Sequence, residues 1–296
     1  MPAGVFRYYN LLLMYKTIIN VENVKENLDH PGWVIIDCRY ILSDEEAGKK
    51  LYMDAHIPGA VFADLLDDLS GPPITDHGRH PLPSVEQLKK LFERLGISNH
   101  TQVVVYDDVG GSFAARLWWL LRYLGHESVA VVNGGWTSWL QAGLQTSRGE
   151  ENNSPGKFQG NARTEWVITA DRVSSIRLLV DSRDPARYRG EIEPVDRVAG
   201  HIPGAINYFW KNNLTEAGLF KESEILRKQF LEFMDGIDAG DTVFYCGSGV
   251  TACHNLLAAT CAGLPSPRLY AGSWSDWCAD ADRPVITGDL PGNFGD

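Results

Sequence analysis

The chain has 296 residues, which suits two domains of ordinary size, each able to bury its own core. Hydrophobic residues at 44% and charged residues at 22% mark a soluble globular protein, and no apolar run reaches the length of a membrane span. The net charge of -11 comes without any basic run, so nucleic acid is excluded as the expected partner. An anionic substrate would have to be held by a few local arginines or backbone N–H groups.

The opening residues, 1–14, carry a short apolar patch with one arginine and no clear cleavage site. They read as an extension or loose arm rather than a signal peptide, with a domain start just after Met14. The five cysteines are odd in number and include no C-x-x-C pair. A disulfide scaffold is not expected, and a cytoplasmic setting is.

The first half alternates short apolar runs with helical patterns. Residues 103–106 and 129–132 read as buried strands, and residues 114–124 as a helix stopped by Gly125. Residues 146–161, rich in Ser, Gly, Asn, Pro and charge, read as an exposed linker. The boundary falls near residue 155, giving domains of 1–155 and 156–296. In the second half, residues 178–180 and 242–245 read as strands, and 251–262 as a helix stopped by Gly263.

The two halves repeat each other. Val34-Ile35-Ile36-Asp37-Cys38-Arg39 matches Leu178-Leu179-Val180-Asp181-Ser182-Arg183, and Ala55-His56-Ile57-Pro58-Gly59-Ala60 matches Gly200-His201-Ile202-Pro203-Gly204-Ala205. Val104-Val105-Tyr106-Asp107 matches Val243-Phe244-Tyr245-Cys246, and Trp136 and Trp139 match the region of Trp274 and Trp277. Order is kept and spacing drifts little, which points to domain duplication. Strands alternating with helices predict an α/β fold in which each domain is a parallel sheet with helices on both faces. Ligands of such sheets bind at the carboxyl ends of the strands. Cys246 stands at such an end.

The segment Cys246-Gly247-Ser248-Gly249-Val250-Thr251 joins a buried strand to a helix start. Its two glycines let the backbone curl, and a tight turn at a helix N-terminus aims several N–H groups inward. Such a cradle favours an anion at its centre, so a cysteine there is expected to be ionised, accessible and nucleophilic. Cysteine phosphatases on similar loops need an arginine six residues on, where this chain has Ala252. Thr251 is expected to cap the helix or bond the loop.

This loop resembles the active loop of the rhodanese family, and its Cys-Gly-Ser-Gly-Val-Thr wording is similar to that of the mercaptopyruvate sulfurtransferases. The resemblance covers nearly the whole chain after Met14. It implies two tandem rhodanese-like domains, of which the second is catalytic, because Asp107 stands where the first would need a cysteine. It implies that Cys246 takes sulfur from 3-mercaptopyruvate and passes it to a thiol such as thioredoxin, or to cyanide. Thiosulfate as donor, or a regulatory sulfur carrier without turnover, are the alternatives. No cofactor or metal is implied, and nothing suggests an oligomer. Ser248 would join Cys246 and Asp64 in a proton relay. Arg187 would bind the substrate carboxylate, with Arg197 and His80 as further pocket residues, and Gly247, Gly249, Val250 and Thr251 would line the substrate cradle.

Other residues read as structure. Arg183 is expected to pair with nearby acids. His56 and His201 recur in both halves although only one is active, so a structural task is expected. Cys253, Cys261 and His254 share a helix without a metal-ligand pattern. The paired tryptophans read as packing.

Overall fold

The structure, a computed structural model, describes residues 14–74 and 77–294. The proposed extension lies outside the described residues, apart from Met14. The first half runs β1 (Ile18–Ile19), α1 (Val21–Glu26), β2 (Trp33–Asp37), α2 (Ala47–Asp54), β3 (Val61–Phe62), α3 (Val85–Arg94), β4 (Gln102–Tyr106), α4 (Ala114–Tyr123), β5 (Val129–Val132) and α5 (Gly135–Gln141). The second half runs β6 (Val167–Ile168), β7 (Leu178–Asp181), α6 (Pro185–Tyr188), β8 (Ala205–Asn207), α7 (Ser223–Met234), β9 (Thr242–Tyr245), α8 (Ala252–Cys261), β10 (Arg268–Tyr270) and α9 (Ser273–Trp277).

Each half builds a five-stranded sheet, in the orders β1-β5-β4-β2-β3 and β6-β10-β9-β7-β8, with every pairing parallel. The two orders are the same once corresponding strands are matched. The central strands β4 and β9 are buried along their whole length, as an apolar run covered on both faces must be. From each of them the chain next turns to the strand on the opposite side from β2 or β7. That reversal opens a crevice beyond the carboxyl end of the central strand. Asp107 and Cys246 stand at those two ends.

The paired motifs hold each half in the same way. Arg39 forks onto Asp37 and lies over the ring of Trp136, and Arg183 does the same with Asp181 and Trp274. His56 stacks on Tyr52 and bonds its carbonyl, and His201 does so with Tyr188. These contacts are internal to each half, so the recurring residues serve architecture.

The halves meet through α4 and α8. All ten residues of α4 and eight of the ten in α8 are buried, which leaves neither helix a solvent face. One hydrophobic core runs through the contact and includes Leu117 and Leu121 from α4 with Leu256 and Leu257 from α8. His254 crosses the same contact, its Nε2 facing the Gly110 carbonyl at 3.0 Å. Among the described residues, no helix is long and apolar enough to cross a membrane.

A shared core ties the fate of one half to the other. Calorimetry should therefore give a single unfolding transition whose van't Hoff and calorimetric enthalpies agree. Two resolved transitions would show that the halves unfold apart.

Candidate active site

Cys246 directly follows β9, and five residues separate it from α8. The backbone around it is tied on the β10 side. Its N–H donates to the Ser273 hydroxyl at 3.1 Å, its carbonyl accepts from Trp274 N–H at 3.0 Å, and the Gly247 carbonyl accepts from Ser275 N–H at 2.8 Å. Ser273 holds a φ of 56°, left-handed for a residue with a side chain. Gly135, at the matching place in the first half, has nearly the same φ of 54°. A Cβ there would lie 2.0 Å from the Asp107 carbonyl oxygen. The second half accepts a side chain at this turn and uses its hydroxyl to satisfy the N–H of Cys246.

The two loop glycines act differently. Gly249 has a φ of 76°, and a Cβ there would meet the Ala271 carbonyl oxygen at 2.3 Å. Gly247 is not in the left-handed region. Its missing side chain leaves room for two guanidiniums, Arg79 and Arg187, which would meet a Cβ at 3.1 and 3.6 Å.

The amides of this loop have no acceptor. Among the described residues, no backbone hydrogen bond uses the N–H of Gly247, Ser248, Gly249, Val250 or Thr251. Four of these five residues are buried, where an unpaired N–H is unfavourable. The first half shows what satisfies such a turn. The Asp107 carboxylate accepts from Val109, Gly111, Phe113 and Ala114 N–H groups at 2.8 to 2.9 Å. Burial pushes the Asp107 carboxyl above its ordinary range, and the four amide bonds act against that push. The cradle of the first half is filled by its own carboxylate, whereas the loop that follows Cys246 presents five N–H groups without an acceptor. The dipole of α8 adds to the same field. Thr251, expected as a cap, makes no side-chain cap bond. Its φ of -70° and ψ of -16° are already helical, so its hydroxyl is not aimed back at the first turn.

Ser248 is buried at 7% exposure and pairs with His80 from the first half, Oγ to Nδ1 at 2.7 Å. Burial, with the Arg116 and Arg79 cations nearby, pushes the His80 imidazole down to about 3. It is therefore neutral at working pH. Asp64 is not bonded to either Ser248 or Cys246. Its Oδ1 accepts from Leu66 and Asp67 N–H groups at 2.7 and 3.0 Å within its own turn, and burial raises its carboxyl.

Arg187 forks onto Glu193, with Nε to Oε2 at 3.2 Å and Nη2 to Oε1 at 2.7 Å, and also reaches Asp196 at 3.1 Å. Glu193 is held in turn by the structural Arg183 at 3.3 Å. Arg79 of the first half pairs with the same Asp196. Two arginines from two domains thus converge above Gly247, anchored by Glu193 and Asp196. Arg197, next in the chain, is exposed. Beneath this cover the Cys246 side chain is 1% exposed, more enclosed than an accessible thiol was expected to be. The reason is the cover itself, since both guanidiniums approach Gly247.

The sequence pattern did not single out Arg79, Glu193, Asp196 or Arg116. Arg79 adjoins His80 and could have been flagged as its neighbour. The acids could not, because their partners come from another domain or another motif. Cys253 and Cys261 are buried thiols, each pushed up to about 12, first by desolvation. Among the described residues, no group of three or more His, Cys, Asp or Glu is arranged to hold a metal.

Comparison with known proteins agrees with this geometry. The rhodanese-like domain family matches residues 20–142 and 166–280. A probable 3-mercaptopyruvate sulfurtransferase from Pseudomonas aeruginosa is 44% identical over 92% of this chain and 98% of its own length. The thiosulfate sulfurtransferase of Bos taurus is 34% identical over 90% of this chain and 93% of its own. The solved 3-mercaptopyruvate sulfurtransferase from Leishmania major is 30% identical and superposes with a TM-score of 0.78, covering 88% of this chain and 73% of that one.

The neutral state of His80 has a stability consequence. Its folded value is below the ordinary 6.5, so the unfolded chain takes up a proton first as pH falls. The stabilisation is complete above about pH 6.5 and is lost progressively as pH falls toward 3. Denaturant unfolding at about pH 7 and pH 4.5 should show His80→Gln losing on the order of 2 kcal/mol less than the wild type. Equal losses in the two proteins would contradict a buried neutral His80.

Proposed function

Since the chain belongs to the rhodanese family as a tandem-domain sulfurtransferase, we propose that it takes sulfur from 3-mercaptopyruvate onto Cys246 and hands it to a thiol. One observation carries the reading: five consecutive amides after the end of β9 have no acceptor, where the first half fills the same turn with a carboxylate. A thiolate or a persulfide anion on Cys246 supplies the missing charge.

In the first step the Cys246 thiolate attacks the donor sulfur. The bond between that sulfur and the donor methylene carbon breaks, its electron pair stays on carbon as the pyruvate enolate, and the proton of the donor thiol ends on that carbon. Cys246 is left as a persulfide anion. In the second step a thiolate acceptor attacks the outer sulfur, the S–S bond breaks, and Cys246 is again a thiolate. No electrons enter or leave the sum.

Ser248 is the group suited to relay the proton. Its hydroxyl is beside the nucleophile in the chain, and the neutral His80 can accept from it or donate to it. Asp64, held in its own turn, would act on this pair through the field rather than through a bond. Arg187 and Arg79 fit a substrate carboxylate, since each is a fork with N–H groups over Gly247. The donor would displace the Asp196 contact shared by both. The loop residues Gly247, Gly249, Val250 and Thr251 contribute amides, and Arg197 would stand at the rim.

A carbon leaving group needs a proton, whereas sulfite leaving from thiosulfate does not. Removing the serine therefore separates the two donors. Ser248→Ala should slow turnover of mercaptopyruvate by about tenfold to hundredfold and leave persulfide formation from thiosulfate nearly unchanged. Mass spectrometry after each donor should find one added sulfur on the Cys246 peptide, and none in Cys246→Ser. A kcat/KM that favours thiosulfate over mercaptopyruvate would overturn the choice of donor, and full activity in Cys246→Ser would overturn the mechanism.

A further inference from the structure

Four arginines are buried among the described residues, namely Arg39, Arg116, Arg122 and Arg183. Three have a carboxylate: Asp37 for Arg39, Glu127 for Arg122 and Asp181 for Arg183. Arg116 has none, although it is fully buried. Its Nε donates to the Leu69 carbonyl at 3.3 Å, its Nη1 to the Gly249 carbonyl at 3.0 Å, and its Nη2 to the His80 and Pro81 carbonyls at 3.2 and 3.5 Å. The Cys253 thiol bonds the same Gly249 carbonyl at 3.4 Å. Neutral acceptors satisfy the N–H groups and leave the charge uncompensated. A buried charge without a counter-ion is strongly unfavourable unless an anion joins it.

The candidates for that anion are few. Gly249 belongs to the loop that begins at Cys246, and His80 bonds Ser248 in the same loop. The charged and titratable groups around the loop include Arg79 and Arg187 above Gly247, the acids Glu193 and Asp196 that pair with them, neutral His80, the thiols of Cys246, Cys253 and Cys278, and Asp276, which is taken up by Tyr270, His77 and Arg283. The acids balance Arg79 and Arg187. Burial pulls the Arg116 guanidinium below its ordinary value, and the Cys253 and Cys246 sulfurs act in the opposite sense. Cys253 is itself pushed up to about 12 by its own burial, so it stays a neutral thiol.

We propose that Arg116, a residue of the non-catalytic half, is the resident counter-cation of the sulfur on Cys246. It acts through space and through the Gly249 carbonyl, and so is a positioning residue. It favours the thiolate before the donor arrives and the persulfide anion afterwards; this second part rests on the sulfur-transfer reading, the first does not. It supplies from below the positive charge that a loop of Gly, Ser, Val and Thr lacks.

The test uses the full chain and iodoacetamide, with mass spectrometry following the Cys246 peptide. In Arg116→Met, which keeps length and loses charge, alkylation at about pH 7 should slow at least about tenfold, while at about pH 10 it should match the wild type. Arg116→Lys, which keeps the charge and loses the fork, should stay within about threefold of the wild type at neutral pH even if its melting temperature drops. In the wild type, raising salt to about 1 M should leave the neutral rate unchanged, because a buried cation is screened far less than exposed ones. A wild-type rate in Arg116→Met at neutral pH, a loss in Arg116→Lys as large as in Arg116→Met, or a marked slowing by salt would each overturn the proposal. Should Arg116→Met fail to fold, the lysine variant and the salt series decide. If the wild type took sulfur from neither donor, the sulfur-transfer reading would fall while the alkylation contrast, which needs no donor, would still stand.

Discussion

A strand that ends in a tight turn before a helix leaves several N–H groups pointing at one spot, and that spot must hold an anion. Both halves of the chain obey this constraint. In the first, Asp107 turns its carboxylate back into the turn and satisfies four amides permanently. In the second, the residue at the same place is Cys246, and the amides remain open. The Asp107 carboxylate is held by its four amides against the upward push of burial, and it cannot carry sulfur. A thiol becomes the anion when it reacts. One residue type thus separates a turn that is finished from a turn that is completed by chemistry.

The first half is catalytically silent without being idle. The chain segment from His77 to Pro81 crosses to the second half, where Arg79 N–H bonds the Ser275 hydroxyl, His80 meets Ser248 and Gly78 fits so closely against Gly272 that a Cβ would stand 2.7 Å from its carbonyl oxygen. Arg116 reaches Gly249 from α4. Such contacts demand a fixed relation between the halves, and the shared core through α4 and α8 provides it. A separated second domain would keep Cys246 and lose the first-half groups that meet its loop. The two copies divide the work: the half with Asp107 at its strand end walls the loop that begins at Cys246 in the other.

Much of this was legible in the sequence, and the limits have physical causes. Strands β4, β5 and β9 and helix α8 follow from apolar runs, glycine stops and the repeat, because those signals are local. Cys246 follows from its loop for the same reason. The partners of the loop do not, since Ser248 and His80 are 168 residues apart and Arg116 and Gly249 are 133 apart. Arg116 also sits in an apolar helix, where a sequence reader expects an arginine to turn toward solvent. Thr251 read as a cap from its position before the helix, but its backbone was already helical. Gly247 read as a turn former, yet what it supplies is space beneath two guanidiniums. In each case composition identified the residue, and only packing identified its task.

The loop's neutrality deserves to be set against its surroundings. A cysteine followed by basic residues carries its cations on the loop itself, where solvent screens them and any anion feels them. Here the cations come from elsewhere and are differently constrained. Arg79 and Arg187 are paired with Asp196 and Glu193, so on the proposed reading a donor's carboxylate would replace an existing partner rather than find a vacant charge. That exchange favours ligands whose charge fits a fork and disfavours those that are merely anionic, which bears on selectivity in a chain of net charge -11. Arg116 has no carboxylate to give up and is fully buried, so its field reaches the Cys246 sulfur and the His80 imidazole with little screening. On the proposed reading the two tasks are divided: the ion-paired Arg79 and Arg187 would take the donor and the buried Arg116 would serve the sulfur, so that the substrate could be exchanged without changing the charge on the reacting atom.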